Sequence, residues 1–424
     1  MELKLSRYNI IKEQENEILV YNSYTKASMF LEKDTDLSLF DDIKEFEKLD
    51  EGTKQLLLEN GFVVDKEKDE LVEMEYLFTK NYFVNNHLAL GLIPTFACNF
   101  KCPYCCEKGH TCGKENVKKY FKTLRNFAKK SFHKHKIIQI NLFGGEPLLY
   151  IKDAIKFLEW VEIDSKEHRY EYFISITTNG SLLTEDILEQ LIKYNLVSLQ
   201  ITIDSHKENH DMLRIFKDGR PSFDLLMSIV EFTVSRLKEE NDAQFVLRIN
   251  LNNTTPAKVR ETLEIVSKDN RPHINLMFRP VYNTKEYNEK NTNNTNELMQ
   301  YMDMGQEIGY KILQSKFWYQ SCEVCADSKF HYLLPDSSLW KCIHDLDYLD
   351  AKMGFIDEEG NDHIDITKTS NWFQKSSPFI NEKCSDCKLL PDCMGGCILY
   401  KAKHCRVQCK TLDMASLPFI YNQK

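Results

Sequence analysis

Three cysteines stand in the run Cys98-Asn99-Phe100-Lys101-Cys102-Pro103-Tyr104-Cys105, a C-x3-C-x2-C spacing. A short loop of this kind can wrap three thiolates around three corners of a cubane iron–sulfur cluster. Three protein ligands leave one iron open, and an open coordination position is where a metal site does chemistry as well as holding structure. A small molecule must fill that position. Zinc also suits thiols, but structural zinc normally takes four ligands in paired C-x2-C clips. Cys106, the obvious extra thiol, is too close to Cys105 to close the same cluster easily.

The loop follows an apolar run, Leu88 to Phe96, that reads as a buried strand. From there apolar strands alternate with amphipathic helices, the order of a parallel sheet or barrel. Strands are expected at Leu88–Pro94, Ile137–Phe143, Tyr172–Thr177, Leu196–Ile203, Gln244–Asn250 and Ile274–Arg279. Helices are expected near Asn116–Ser131, Ile151–Ile163, Thr184–Tyr194, Ser222–Glu239 and Pro256–Ser267. In such folds ligand-binding residues collect at the C-terminal ends of the strands.

The other polar motifs fall at those ends. Gly144-Gly145-Glu146-Pro147 follows the second strand. Its glycines let the backbone approach a ligand closely, and its carboxylate would accept from an ammonium group. Thr177-Thr178-Asn179-Gly180 ends the third strand, and Gln200-Ile201-Thr202-Ile203-Asp204-Ser205 ends the fourth. Both offer groups to a ribose or a carboxylate, although strand-end turn chemistry alone also explains such residues. His210-Asp211-Met212-Leu213-Arg214 comes next, with Arg214 either a ligand contact or a surface ion pair.

Cysteines return after Lys316. Cys322, Cys325 and Cys342 precede Cys384-x2-Cys387-x5-Cys393-x3-Cys397, then Cys405 and Cys409. A zinc ribbon would use similar pairs.

Taken together, the triplet and the Gly-Gly-Glu-Pro motif resemble the radical S-adenosylmethionine (radical SAM) superfamily. The resemblance covers roughly residues 88–410 and implies a partial (β/α)6 TIM-type barrel. By it, Cys98, Cys102 and Cys105 hold a catalytic 4Fe–4S cluster whose open iron is chelated by S-adenosylmethionine. Gly144, Gly145, Glu146 and Pro147 would hold the methionine amino group, with Thr178 and Asp204 as further contacts. Arg214 would reach the carboxylate, and Tyr104 occupies the aromatic position near the adenine. The reduced cluster would cleave the sulfonium to a 5′-deoxyadenosyl radical that abstracts hydrogen from unactivated C–H bonds, while the barrel excludes water and aims the substrate.

The C-terminal cysteines resemble the SPASM extension, which binds two auxiliary 4Fe–4S clusters, three clusters in all. The resemblance implies Cys322, Cys325, Cys342 and Cys397 for the first. It implies Cys384, Cys387, Cys393 and one of Cys405 or Cys409 for the second. The glycine usual five residues before the second-block cysteine is Ser337 here.

At 424 residues the chain has room for two or three domains. The expected division is 1–80, 81–315 and 316–424. A net charge of −9 without a basic block gives no footprint for nucleic acid. No apolar run approaches the ~20 residues that span a membrane, and Met1-Glu2-Leu3-Lys4 opens no signal peptide. Fourteen cysteines without an export signal point to metal rather than disulfides, in a cytoplasmic protein. Lys285–Asn296 is a polar loop, and Cys106 and Cys112 fall outside every cluster pattern.

Residues 1–80 carry no cysteine. Strands at Arg7–Ile11 and Glu17–Tyr21, split by a Lys12–Asn16 turn, precede helical patterns at Leu37–Leu49 and Gly52–Asn60 and a strand at Gly61–Val64. Lys66–Lys80 reads as a charged helical linker. This mixture suggests a winged-helix-like module that offers a sheet edge to an extended peptide, or else a structural cap. Radical SAM enzymes with this extension mostly modify peptides, and maturases of ribosomally made precursor peptides bring a leader-recognition domain of this size. The resemblance therefore implies a sactipeptide- or ranthipeptide-type enzyme that forms a thioether from a Cys sulfur to a carbon, served by an electron donor such as flavodoxin or ferredoxin. Carbon–carbon cross-linking, epimerisation and formylglycine formation in a sulfatase are the alternatives. An iron–sulfur electron carrier is the non-catalytic one.

Overall fold

The computed structural model describes residues 2–13, 16–83, 86–105, 107, 116–239, 243–281, 295–313 and 329–399. Cys106, Cys112, Cys322, Cys325, Cys405 and Cys409 lie outside them, as does the 285–296 loop apart from its last two residues. The chain forms two compact units. One is Met1–Val84, Lys316–Ser328 and Phe373–Lys424, and the other is Asn85–Ser315 and Lys329–Trp372.

The first unit opens with β1 (Leu3–Leu5), β2 (Asn9–Glu13), β3 (Glu17–Asn22) and β4 (Ser28–Glu32). Strands β2, β3 and β4 make an antiparallel sheet in that order, so β4 is an edge. The sequence reading missed β1 and β4, which are short and partly exposed. The Leu37–Leu49 region forms two 3-10 turns, Ser38–Phe40 and Ile43–Lys48. Asp42 breaks the helix by taking an extended backbone and accepting from the Lys44 amide at 3.0 Å. Then come α1 (Glu51–Glu59), β5 (Val63–Asp65), paired with β1, and α2 (Glu70–Phe83). Ile18, Val20, Phe46, Leu57 and Phe62 make the core between sheet and helices.

The second unit holds β6 (His87–Leu92), α3 (Val117–Ser131), β7 (Ile137–Leu142), α4 (Ile151–His168), β8 (Glu171–Thr178) and α5 (Glu185–Lys193). It continues with β9 (Leu196–Asp204), α6 (Lys207–Leu213), α7 (Phe223–Leu237), β10 (Gln244–Leu251), α8 (Pro256–Glu264) and β11 (Ile274–Pro280). Strands β6 to β11 are parallel neighbours in sequence order, so their C-terminal ends share one side. This is the six-strand order expected of the barrel. Helix α3 shows why the helices pack: Tyr120, Phe121, Leu124, Phe127 and Ala128 recur at helical spacing and are all buried. Asn116 caps its start by accepting from the Lys119 amide. Helix α4 runs five residues past the expected Ile163, to a left-handed cap at Arg169.

The sheet extends at both ends. Beyond α9 (Thr295–Glu307), β12 (Lys311–Ile312) joins β11. On the other edge β13 (Phe330–Leu333) pairs in parallel with β6, and β14 (Ser338–Trp340), β15 (Lys352–Ile356) and β16 (Asp362–Ile364) follow antiparallel. Residues 329–372 are thus sheet neighbours of the barrel strands. After α10 (Ile366–Ser376), two short helices, α11 (Glu382–Ser385) and α12 (Leu390–Cys393), carry the next cysteines.

Candidate functional site

The cysteine loop leaves β6 and is tied to its neighbours by backbone. Lys101 N–H donates to Ile215 O at 3.1 Å and Lys217 N–H to Asn99 O at 2.9 Å. The Phe100 and Phe216 rings meet edge to face at 4.7 Å. Asn99 bridges to the β8 end, accepting from Asn179 Nδ2 and donating to Ser181 Oγ, each at 2.8 Å. Cys98 Sγ accepts from the Phe100 amide at 3.3 Å and from Asn179 Nδ2 at 3.7 Å. Burial pushes the Cys102 thiol up to about 11, Arg214 opposes that, and the thiols of Cys98 and Cys105 add to it. The three part-buried thiols lie on one short loop beside the Arg214 guanidinium, a donor set that fits a cluster with thiolate corners. Among the described residues, no three His, Cys, Asp or Glu side chains gather around a single-ion position.

The glycine pair packs closely against protein backbone. A Cβ on Gly145 would lie 2.2 Å from Ala97 O and 2.4 Å from Phe96 O, and one on Gly144 would lie 2.8 Å from Thr95 O. What approaches closely is the backbone leading into the cysteine loop, anchored by Gly145 N–H to Thr95 O and Glu146 N–H to Ala97 O. Glu146 is fully buried and accepts three protein hydrogen bonds, from Leu148 N–H at 3.0 Å, Asn179 N–H at 2.8 Å and Thr178 Oγ1 at 2.5 Å. Burial raises its pKa and these donors oppose that. Pro147 starts the 3-10 turn that Glu146 caps. With three donors on four lone-pair sites, one acceptor direction is unused among the described residues.

Tyr104, Asp204 and Arg214 meet. The Tyr104 hydroxyl donates to Asp204 Oδ2 and accepts from Arg214 Nη1 at 3.3 Å. Asn250, at the β10 end, donates to Asp204 Oδ1 at 2.9 Å and to the Tyr104 oxygen at 3.3 Å. Burial raises the Asp204 pKa, and Arg214 opposes it. For Arg214 burial works against the charge, yet Tyr104, Cys102 and Asp204 carry its pKa upward. Its Nε is buried without a partner among the described residues, a donor able to serve an acceptor such as a carboxylate.

Sequence reasoning missed the residues that hold this group together. His210 Nδ1 accepts from the Asp204 amide at 3.1 Å, which leaves Nε2–H to donate to Ser222 Oγ at 2.9 Å. Ser222 in turn donates to Arg214 O. Burial, then Arg214, drives the His210 pKa well down, so it stays neutral. Glu107, two residues past the third cysteine, is buried with one carboxyl oxygen unpartnered among the described residues, its pKa raised to about 8 by burial and Glu146. A carboxylate this close to the triplet was the available signal.

Of the C-terminal cysteines, Cys342 is buried just after β14, in the barrel unit. Cys384, Cys387, Cys393 and Cys397 belong to the other unit. Cys322, Cys325, Cys405 and Cys409 lie outside the described residues, so neither implied ligand set is complete among them.

Residues 92–289 match the radical SAM superfamily. With the parallel sheet and the three-thiol loop at its C-terminal side, that stretch is a radical SAM domain. The chain is 26% identical over 300 residues to a GTP 3′,8-cyclase of Clostridium botulinum, covering 63% of this chain and 84% of that protein. It is 27% identical over 275 residues to the radical SAM cyclopropyl synthase TigE of Paramaledivibacter caminithermalis, covering 57% and 56%. In fold it is similar to anSMEcpe with bound AdoMet (TM-score 0.54, 16% identity, 79% of this chain, 95% of that one). It is also similar to Streptococcus suis SuiB bound to S-adenosylmethionine (TM-score 0.50, 16% identity, 93% and 95%). Among the described residues no helix is long and apolar enough to cross a membrane.

Proposed function

We propose that this enzyme installs a thioether link, Cys sulfur to carbon, in a ribosomally made precursor peptide. The observation that carries the peptide reading is coverage. SuiB, whose structure is also known with its precursor peptide SuiA, resembles 93% of this chain. The remainder is too short to omit the N-terminal domain. The anSMEcpe likeness covers 79%. The cysteine-rich C-terminal segment supports sulfur chemistry and two auxiliary clusters.

Cys98, Cys102 and Cys105 would hold the catalytic 4Fe–4S cluster. Glu146 would receive the ammonium of S-adenosylmethionine through its remaining acceptor direction, with Thr178 and Asn179 orienting the carboxylate. Arg214 Nε would donate to the methionine carboxylate, steadied by Tyr104 and Asp204. Bound together, cluster and S-adenosylmethionine supply a 5′-deoxyadenosyl radical for hydrogen abstraction. The residues around them bind, orient and exclude water. Residues 1–80 would take the leader along the β4 edge, where backbone hydrogen bonds give affinity. An external donor such as flavodoxin or ferredoxin would supply the electron.

The test is mass spectrometry of a co-expressed precursor. Each link should remove about 2 Da: one hydrogen atom would leave the carbon for the deoxyadenosyl radical, and the thiol would give up a proton and one electron, the electron passing to an auxiliary cluster. The linked cysteine should no longer react with an alkylating agent. A product 2 Da lighter with every cysteine still alkylatable would replace the thioether with a carbon–carbon link, the reading that the likeness to a cyclopropyl synthase favours.

A further inference from the structure

Asn250 gives its side-chain amide to two acceptors at once. Its Nδ2 donates to Asp204 Oδ1 at 2.9 Å and to the Tyr104 oxygen at 3.3 Å. The Tyr104 oxygen also accepts from Arg214 Nη1 at 3.3 Å, and its own proton goes to Asp204 Oδ2. The direction of that proton thus depends on which way the Asn250 amide points.

An asparagine amide has two orientations of similar shape, related by a half turn about its last side-chain bond. The main chain does not choose between them. It is held by Ser205, whose amide and hydroxyl donate to Asn250 O at 3.0 and 2.9 Å. That fixes the backbone of Asn250, which is itself buried, and leaves the amide orientation to a side-chain partner.

The partner is Arg248, whose Nε donates to Asn250 Oδ1 at 2.9 Å. The two residues are two apart on β10 and so share a face of the sheet. In register, Asn250 stands between Asp204 and Arg279, and Arg248 stands one row deeper, between Thr202 and Met277. A guanidinium carries donors and no acceptor. It therefore admits only the oxygen of the amide and turns both amide N–H bonds toward the phenol and the carboxylate. In the reversed amide, Nδ2 would meet the guanidinium, donor against donor. Its Oδ1 would meet Asp204 Oδ1, acceptor against acceptor. The charge of Arg248 is the smaller part of its effect. Burial raises the Asp204 pKa; of the groups that oppose the rise, Arg214 comes first, then the hydrogen bonds from Tyr104 and Asn250, then Arg248.

We infer that Arg248 is a positioning residue, acting through the Asn250 amide to set the hydrogen bonds that join Tyr104, Asp204 and Arg214. The inference rests on the reading of that group as the holder of the S-adenosylmethionine carboxylate. Arg248 sits one row behind the residues that would touch the cofactor.

Calorimetric titration of the full-length, anaerobically reconstituted protein with S-adenosylmethionine tests it. Arg248→Met keeps a side chain of similar length and removes the donor. Arg248→Gln also removes the charge, but it puts an amide N–H at the chain position of Nε. Arg248→Met should bind about tenfold more weakly, the effect of one buried hydrogen bond. Arg248→Gln should recover most of that affinity. In an Asn250→Leu background Arg248→Met should cause no further loss, because the amide it orients is gone. Equal affinities in Arg248→Gln and Arg248→Met, or losses that add in the double variant, would overturn the role of Arg248 alone. Where Arg248→Met fails to fold, Arg248→Gln still decides: a loss of about tenfold in it would mean that the site needs the charge and not the donor. Wild-type affinity in Arg214→Met would overturn the reading of this group as the cofactor's holder, and the inference with it.

Discussion

The Tyr104 hydroxyl donates to Asp204 Oδ2, and through that bond the cysteine loop is joined to the C-terminal end of β9. Arg214 and Asn250 both donate to the Tyr104 oxygen, and Asn250 also donates to Asp204 Oδ1. The bond matters because Arg214 is a buried cation whose compensation comes from Asp204 and the polarised phenol. Asp204→Asn should destabilise the barrel unit by about 1–3 kcal/mol, the cost of leaving a buried hydrogen-bonding group of the Tyr104–Asp204–Asn250 network unsatisfied. Tyr104→Phe should cost about 1–2 kcal/mol, since it removes a neutral hydroxyl. Urea unfolding measures both, and calorimetric titration with S-adenosylmethionine should show weaker binding in each. Full affinity in Asp204→Asn would remove this group from the cofactor site.

How much of this was legible in the sequence follows the range of the signal. The six parallel strands could be read because each is a short apolar run bounded by polar turns, and their ends moved by only a few residues. The cysteine spacing and the strand-end Thr178 and Asp204 are local patterns too. The His210–Ser222–Arg214 relay was not readable, since it depends on α6 folding back so that a neutral imidazole meets the Asp204 amide. Nor was the pairing of β13 with β6, strands about 240 residues apart whose contact only the closed sheet reveals. Nor was the packing role of Gly145, where the carbonyls of Phe96 and Ala97 fill the space a side chain would need.

That packing makes Gly145→Ala a sharp test. The added methyl meets backbone oxygen, which cannot swing aside as a side-chain tip would. Overpacking of this kind costs about 1–3 kcal/mol, and here the displaced element is the run into Cys98. The variant should fold yet retain less iron on reconstitution than wild type and cleave S-adenosylmethionine more slowly. Replacing Cys98, Cys102 and Cys105 together should remove about four irons and abolish cleavage. Wild-type iron content and rate in Gly145→Ala would mean the loop does not need this backbone contact.

Ser337 offers the opposite case, a substitution that should stabilise. Its φ is 63°, in the left-handed region that non-glycine residues enter at a cost of about 1–2 kcal/mol. It closes the turn between β13 and β14, its amide donating to Leu334 O and its carbonyl accepting from Ile356. Ser337→Gly removes the Cβ strain and gives back part of the gain as chain entropy. A net gain of about 0.5–1 kcal/mol should raise the barrel unit's melting midpoint by about 1–3 °C. A lower midpoint would mean that the serine side chain contributes more than its backbone costs.

His210 sets an acid limit on the site. Burial and Arg214 hold its pKa well below the usual histidine value, so the folded protein keeps it neutral while the unfolded chain takes up a proton. The sign follows: a depressed folded pKa gives stability that is present above about pH 6.5 and is lost as pH falls below it. One such group contributes a slope of about 1.4 kcal/mol per pH unit in that range. His331, part-buried with its Nε2 enclosed and its pKa strongly lowered, adds to the wild-type slope, so the comparison must be with a variant. His210→Gln should be less stable at pH 8, because the Asp204–Ser222 relay is broken, and its stability should fall less steeply between pH 6.5 and 5, by about one proton. Urea titrations at half-unit pH steps measure that difference. Parallel pH profiles for the two proteins would mean that His210 is protonated in the folded state, and the hydrogen bond from the Asp204 amide to Nδ1 could not then exist.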